Sequence, residues 1–329
     1  MSPVTPELFQ TVTTIAREQG AGIRTNFTKT VHRSSYPAID PSRPELSQKG
    51  RAVLITGGGT GIGLAIAKAF MIAEAKAIII VGRRENVLAD AKKDIEQEAQ
   101  KAGKTTTQVL AQAVDVTDKS AVAALWSGLK DKGVVVDILV LNSAKFASFD
   151  SLLEVGSDEV WSTFEANVHG PLMMAEAFAR QGGDTPKSLV NVATQAIHMF
   201  EKNELIISWH SPGYGLTKNA GALTIQQIAS HSDPEKMQVV SFHPGVIYSS
   251  GWKEAGIPES FFPFDDESLA GSAAVWLASP EARFLHGRFV WSSWDVEELQ
   301  TGEIRKKLDE DIGFLKIGVR GLKGADRDW

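Results

Sequence analysis

Apolar and polar positions change period along this chain in a regular way. Short apolar runs at 52–55, 77–81, 109–116, 134–141, 188–192, 237–242 and 288–291 are rich in Val and Ile and bounded by Gly, Asp or Asn. Runs of this kind are too short for helices and fit strands covered on both faces. Between them, 63–75, 85–102, 118–130, 157–180, 214–231 and 269–277 repeat their apolar positions with the helical period. Strand alternating with helix predicts an α/β fold: one doubly wound, parallel sheet of seven strands with helices on both faces and no dividing linker.

The flanks depart from that alternation. Residues 1–50 form an N-terminal extension, in which 6–19 has helical spacing. The segment at 36–44, YPAIDPSRP, holds three prolines, which exclude regular structure. Residues 51–295 carry the repeating pattern, and the charged C-terminal extension at 296–329 is expected to wrap the surface or a partner subunit. The N-terminal stretch pairs Arg17, Arg24, Lys29 and Arg33 with Ser and Thr in the manner of a transit peptide, but Glu7 and Glu18 oppose that reading.

Composition narrows the chemistry. The chain has no cysteine, which excludes disulfides, thiolate catalysis and cysteine-held zinc. That composition fits a reducing compartment, so a cytoplasmic location is expected. A net charge of −6 argues against nucleic acid as a partner. No apolar run approaches the roughly 20 residues that a membrane helix needs, so no span is expected. The seven histidines are scattered, without HExxH, so no metal site is expected.

The first strand runs straight into Thr56-Gly57-Gly58-Gly59-Thr60-Gly61-Ile62-Gly63 and a helix reading LAIAKAF. A tight turn needs the φ angles of Gly, and close approach of backbone to a diphosphate needs the absence of Cβ. The helix then offers free N–H groups and the positive end of its dipole to the phosphates. At the end of the second strand, Gly82 stands where an acid would accept the ribose hydroxyls of NAD, and Arg83 and Arg84 follow. Guanidinium suits the extra phosphate of NADP, so NADP(H) is expected over NAD(H).

These pieces and their spacing resemble the short-chain dehydrogenase/reductase family over roughly 50–295. Gly57, Thr60, Gly61, Ile62 and Gly63 lie in the family's TGxxxGxG turn, and the resemblance implies a Rossmann-type fold. It implies an adenine contact for Asp115 in VDVTD, a cofactor contact for Asn142 in LVLNSA, and support of a proton-relay water by Asn167 in EANVHG. Tyr214 and Lys218 match YxxxK, and Val246 and Ser249 follow Pro244-Gly245 where the nicotinamide carboxamide is held. The terminal extensions and the RFVW ending resemble a fungal branch that includes enzymes of secondary metabolism. Relatives commonly pair as homodimers or homotetramers through the helices expected at 157–180 and 214–231.

The pair at 214 and 218 also argues for itself. Positions four apart share a helix face. A free phenol ionises at about pH 10, and a nearby ammonium lowers that value. Two departures from the family stand out. Thr194 in Asn191-Val192-Ala193-Thr194 replaces the usual catalytic Ser, as the working hydroxyl or as an ordinary strand-end Thr, and Lys145 replaces the Gly of NNAG.

Two apolar segments, 196–213 and 248–264, should overhang the carboxyl edge of the sheet. Trp252, Phe261, Phe262 and Phe264 would form an aromatic lid or pack elsewhere, and His198 and His210 would reach substrate or the interior. The function expected is NADPH-dependent reduction of a ketone on a bulky hydrophobic small molecule, or the reverse alcohol oxidation. Tyr214, Lys218, Thr194 and Asn167 would be its catalytic residues. The alternatives are an isomerase or cyclase that uses the dinucleotide structurally, and a non-catalytic dinucleotide sensor.

Overall fold

A computed structural model describes residues 27–146, 150–183, 185–198, 212–249, 252–253, 256, 258–261 and 263–318. The expected helix at 6–19, His210 and Phe262 lie outside the described residues. Seven parallel strands form one sheet: β1 (Ala52–Thr56), β2 (Ala77–Gly82), β3 (Gln108–Ala113), β4 (Ile138–Leu141), β5 (Lys187–Val192), β6 (Met237–His243) and β7 (Phe289–Trp291). Their spatial order is β3-β2-β1-β4-β5-β6-β7, so the winding reverses between β1 and β4. A crevice opens at the carboxyl ends there, the usual ligand position in such sheets.

Successive strand residues point to opposite faces, and each face has its own core. Val53, Ile55, Ile78, Ile80, Val140 and Val240 pack with α1 (Gly61–Ile72), α2 (Glu85–Lys101) and α8 (Glu267–Leu277). Leu54, Ile79, Leu139, Leu189 and Val239 pack with α3 (Lys119–Asp131), α6 (Gly170–Arg180) and α7 (Pro212–Ser230). Helices α1 and α8 cross closely, since a Cβ on Gly271 would meet the Ala65 oxygen at 2.8 Å.

Several elements differ from the sequence pattern. Strand β4 begins at Ile138 rather than 134, because the Gln181 side chain holds both backbone groups of Val136. Strand β3 ends at Ala113 rather than 116, where Asp115 takes the Thr117 N–H and turns the chain. The helix expected over 157–180 divides into α5 (Ser157–Phe164), a π turn (Glu165–His169) and α6, with a short α4 (Leu152–Val155) before it. Pro171 explains the break: it has no N–H to give the Asn167 carbonyl in the α-helical pattern.

The flanks are more ordered than their composition suggests. The proline-rich segment forms 3₁₀ turns at Pro37–Ile39 and Pro44–Leu46, where proline suits the first helical position. Ile39 and Leu46 are fully buried in the main core. Beyond β7, α9 (Val296–Gln300) and α10 (Gly302–Glu310) add Val296, Leu299 and Leu308 to it. Phe289 N–H donates to Leu315 O, so the returning chain covers the edge of β7.

Candidate active site

A cavity of about 850 Å³ fills the crevice. Its lining includes Gly57, Thr60, Gly61, Ile62 and Gly63 at one end of the switch point, and Thr194, Tyr214 and Lys218 at the other. Gly57 and Gly61 take φ of +66° and +50°. A Cβ on Gly63 would lie 2.2 Å from the Gly57 oxygen, so the turn folds against α1 only with glycine there. The first turn of α1, whose N–H groups have no partner within the helix, thus packs against the turn and lines the cavity, a cradle suited to a diphosphate.

Asn142 locks that turn to β4. Its side-chain amide donates to Thr56 O at 3.0 Å and to Gly57 O at 3.2 Å, while Thr56 Oγ1 accepts the Asn142 and Ser143 N–H groups. Arg83 and Arg84 both line the cavity beside Gly82, and Asp115 lines it as well. Burial would raise the Asp115 carboxyl, but the Thr117 N–H and hydroxyl, with Arg83 nearby, hold it below its ordinary value.

At the far end, Tyr214 stands in the first turn of α7, and Lys218 one turn later donates to Val192 O at 2.7 Å. Burial pushes the Lys218 ammonium down to about 8 and pushes the Tyr214 phenol up. The lowered phenol expected from sequence is not found, because desolvation acts on both groups and the Lys218 ammonium is turned to the Val192 carbonyl. Thr194 Oγ1 accepts the Ala196 N–H at 3.3 Å, and its hydroxyl proton remains available to a further acceptor.

Asn167 ties these parts together from the π turn. Its side chain accepts the Lys145 N–H at 2.7 Å and donates to Lys145 O at 2.8 Å and Thr217 Oγ1 at 3.0 Å. Its own carbonyl faces α7, where a Cβ on Gly221 would approach it to 2.6 Å. Lys145, unexplained by sequence, sends its ammonium to Glu159 and to Ser162 Oγ at 2.9 Å. Its family-atypical cation therefore stands on α5 at the cavity wall.

Three site features had no signal in the sequence. The Phe146 ring stacks on Tyr214 with centroids 4.3 Å apart and planes 9° apart, while 70% of Phe146 stays exposed. Val246 N–H donates to Asp265 Oδ2 and Val246 O accepts the Asp265 N–H, each at 2.8 Å. Ile247, bridged in parallel to Asp265, then directs its own N–H and C=O to the opposite side, and it lines the cavity. Ser249 also lines the cavity. Of the aromatic lid, Trp252 and Phe261 line the cavity, and Phe264 packs on Trp252 and Tyr248. His198 turns inward against Phe289 and Trp291.

Among the described residues no group of three or more His, Asp or Glu is placed to hold a metal, and no helix is long and apolar enough to cross a membrane. The family model for short chain dehydrogenases matches residues 51–258. The chain is 30% identical to short chain dehydrogenase/reductase AacuD of Aspergillus aculeatus, over 89% of this chain and 96% of that one. It is 31% identical to short chain dehydrogenase/reductase nsrO of Aspergillus novofumigatus, again over 89% and 96%. Its backbone is similar to that of L-sorbose reductase from Gluconobacter frateurii, solved with NADPH and L-sorbose, at a TM-score of 0.62 and 23% identity over 75% of this chain and 95% of that one. With a family model matched over residues 51–258 and relatives 30% and 31% identical across 89% of its length, the chain belongs to the short-chain dehydrogenase/reductase family.

Proposed function

We propose that the chain reduces a ketone on a bulky hydrophobic small molecule of secondary metabolism with NADPH, or runs the reverse alcohol oxidation. The observation that carries this reading is one cavity lined by the glycine turn, Arg83 and Arg84, and Thr194, Tyr214 and Lys218. Gly57, Thr60, Gly61, Ile62 and Gly63 would hold the diphosphate, Arg83 and Arg84 the additional phosphate, and Asp115 the adenine. Asn142, Ser249 and the Val246–Ile247 backbone would hold the nicotinamide end. When bound, the dinucleotide supplies hydride to the carbonyl carbon.

The chain's own residues handle the oxygen. Thr194 donates a hydrogen bond from its hydroxyl to the carbonyl oxygen and polarises it. Tyr214 delivers a proton to that oxygen, and a phenol pushed up by burial is protonated at neutral pH, as reduction requires. Lys218 would hold the nicotinamide ribose hydroxyls and keep its charge on the same helix face as the phenol. The Asn167 carbonyl, which has no α-helical donor from Pro171, anchors the water that resupplies the proton.

Trp252 and Phe261 give the cavity its apolar wall, which favours a bulky hydrophobic substrate. A cytoplasmic homodimer or homotetramer, paired through the exposed Leu172 of α6 and Leu216 and Leu223 of α7, completes the reading. The test follows NADPH absorbance with an aromatic diketone present. Stoichiometric loss of NADPH supports reduction, whereas product formation without NADPH loss would favour an isomerase.

A further inference from the structure

The return leg of the substrate segment is held by residues that the family pattern does not include. Arg33 Nη1 donates to Pro263 O and lies 3.4 Å from Asp265 Oδ1. Arg33 O accepts the Asp266 N–H at 2.7 Å, and Ser35 N–H donates to Ser268 Oγ at 3.2 Å. The strap carrying Arg33 is itself fixed at both sides. His32 pairs with Asp295 at 2.8 Å, and the buried Tyr36 hydroxyl bridges Trp294 O and Val296 N–H.

From Asp265 the connection enters the site. Its Oδ2 takes the Val246 N–H, and its backbone takes part in the parallel bridge to Ile247. Gly245 has φ +99°, and a Cβ there would stand 2.8 Å from the same Oδ2, so the carboxylate sits directly against the turn. A rotation of Asp265 therefore changes the direction in which Ile247 presents its backbone groups to the cavity. Among the described residues, no hydrogen bond or ion pair links Arg33 or Asp265 to Gly57–Gly63 or to Arg83 at the adenine end.

We infer that Arg33 and Asp265 are positioning residues: the N-terminal strap, acting through Asp265, sets the turn at 244–247 that receives the nicotinamide end of the cofactor. This rests on the dinucleotide reading above, and the experiment separates the two. Wild type, Arg33→Ala, Asp265→Ala and Asp265→Asn are titrated calorimetrically with NADPH and with adenosine 2′,5′-bisphosphate, which carries only the adenine half. Asp265→Ala is expected to weaken NADPH about 10-fold and Arg33→Ala about 5-fold, the scale of one to two lost hydrogen bonds. Adenosine 2′,5′-bisphosphate should bind all four proteins alike.

Asp265→Asn should recover part of the loss, because its amide oxygen still accepts the Val246 N–H. Equal weakening of both ligands would show a general loss of structure and overturn the inference, as would wild-type NADPH affinity in both alanine variants. If wild type bound neither ligand, the dinucleotide reading would fall and take this inference with it.

Discussion

Burial lowers the Lys218 ammonium from 10.5 to about 8, and the difference can be read as stability. Between those values the unfolded chain holds a proton that the folded chain has released, so stability rises with pH, by up to about 3 kcal/mol from this group. The penalty is fully present below the folded value. Tyr214 acts in the opposite sense: its raised phenol makes the unfolded chain ionise first above about pH 10, where stability falls. Urea unfolding of the ligand-free chain should show a gain between about pH 8 and 9.5 that Lys218→Met removes. The same gain in both proteins would contradict the assignment. Tyr214→Phe should bind NADPH within about twofold of wild type and lose about 10²- to 10⁴-fold in turnover. Retained turnover would remove the phenol from the mechanism. Tyr214 and Lys218 could be singled out in the sequence by their helix spacing and Asn167 by a motif resemblance, and the fold brings Tyr214 and Lys218 into the lining of one cavity. Lys145, Phe146 and Asp265 could not be placed in this way, since their partners at 159, 214 and 246 are brought close only by the folded sheet.

At the scale of elements, the glycine turn shows how a single methyl group can have opposite effects. Gly63→Ala would drive a Cβ to within 2.2 Å of the Gly57 oxygen, backbone that cannot yield without opening β1 from α1. A loss of about 2–4 kcal/mol is expected in chemical denaturation, together with loss of NADPH binding. Gly128→Ala, inside α3 with nothing within 4 Å of the new Cβ, should instead stabilise by about 0.5–1 kcal/mol. Destabilisation by both substitutions alike would mean that the crowding at Gly63 is not what the turn depends on. The sheet and most helices followed from apolar period alone. What period cannot register is a missing donor, and Pro171 divides the helix at 157–180 by that means. Side-chain satisfaction is equally invisible to it, as where Gln181 holds Val136 and delays the start of β4.

Across the whole molecule, the two ends of the described chain close on each other. Val31 bridges Trp294, Lys29 and Thr30 donate their N–H groups to Glu298, and Tyr36 joins Trp294 to Val296. Prolines and charge made these flanks read as extensions, because pairing between segments some 260 residues apart leaves no periodic trace in either. Tyr36→Phe would remove the hydroxyl that joins Trp294 O to the Val296 N–H in the interior and should cost about 1–3 kcal/mol by chemical denaturation. A change below roughly 0.5 kcal/mol would show that the strap is not held there. The same closure places Arg33 over the substrate segment, so the ends reach the site as well as the fold. The crevice between Gly57–Gly63 and Tyr214 is expected to take a phosphorylated nicotinamide dinucleotide. Calorimetric titration of the intact chain with NADPH and NADH tests it most directly. NADPH should bind at least about 10-fold more tightly, the scale of one charge-assisted phosphate contact. Absence of binding by either dinucleotide would contradict the account.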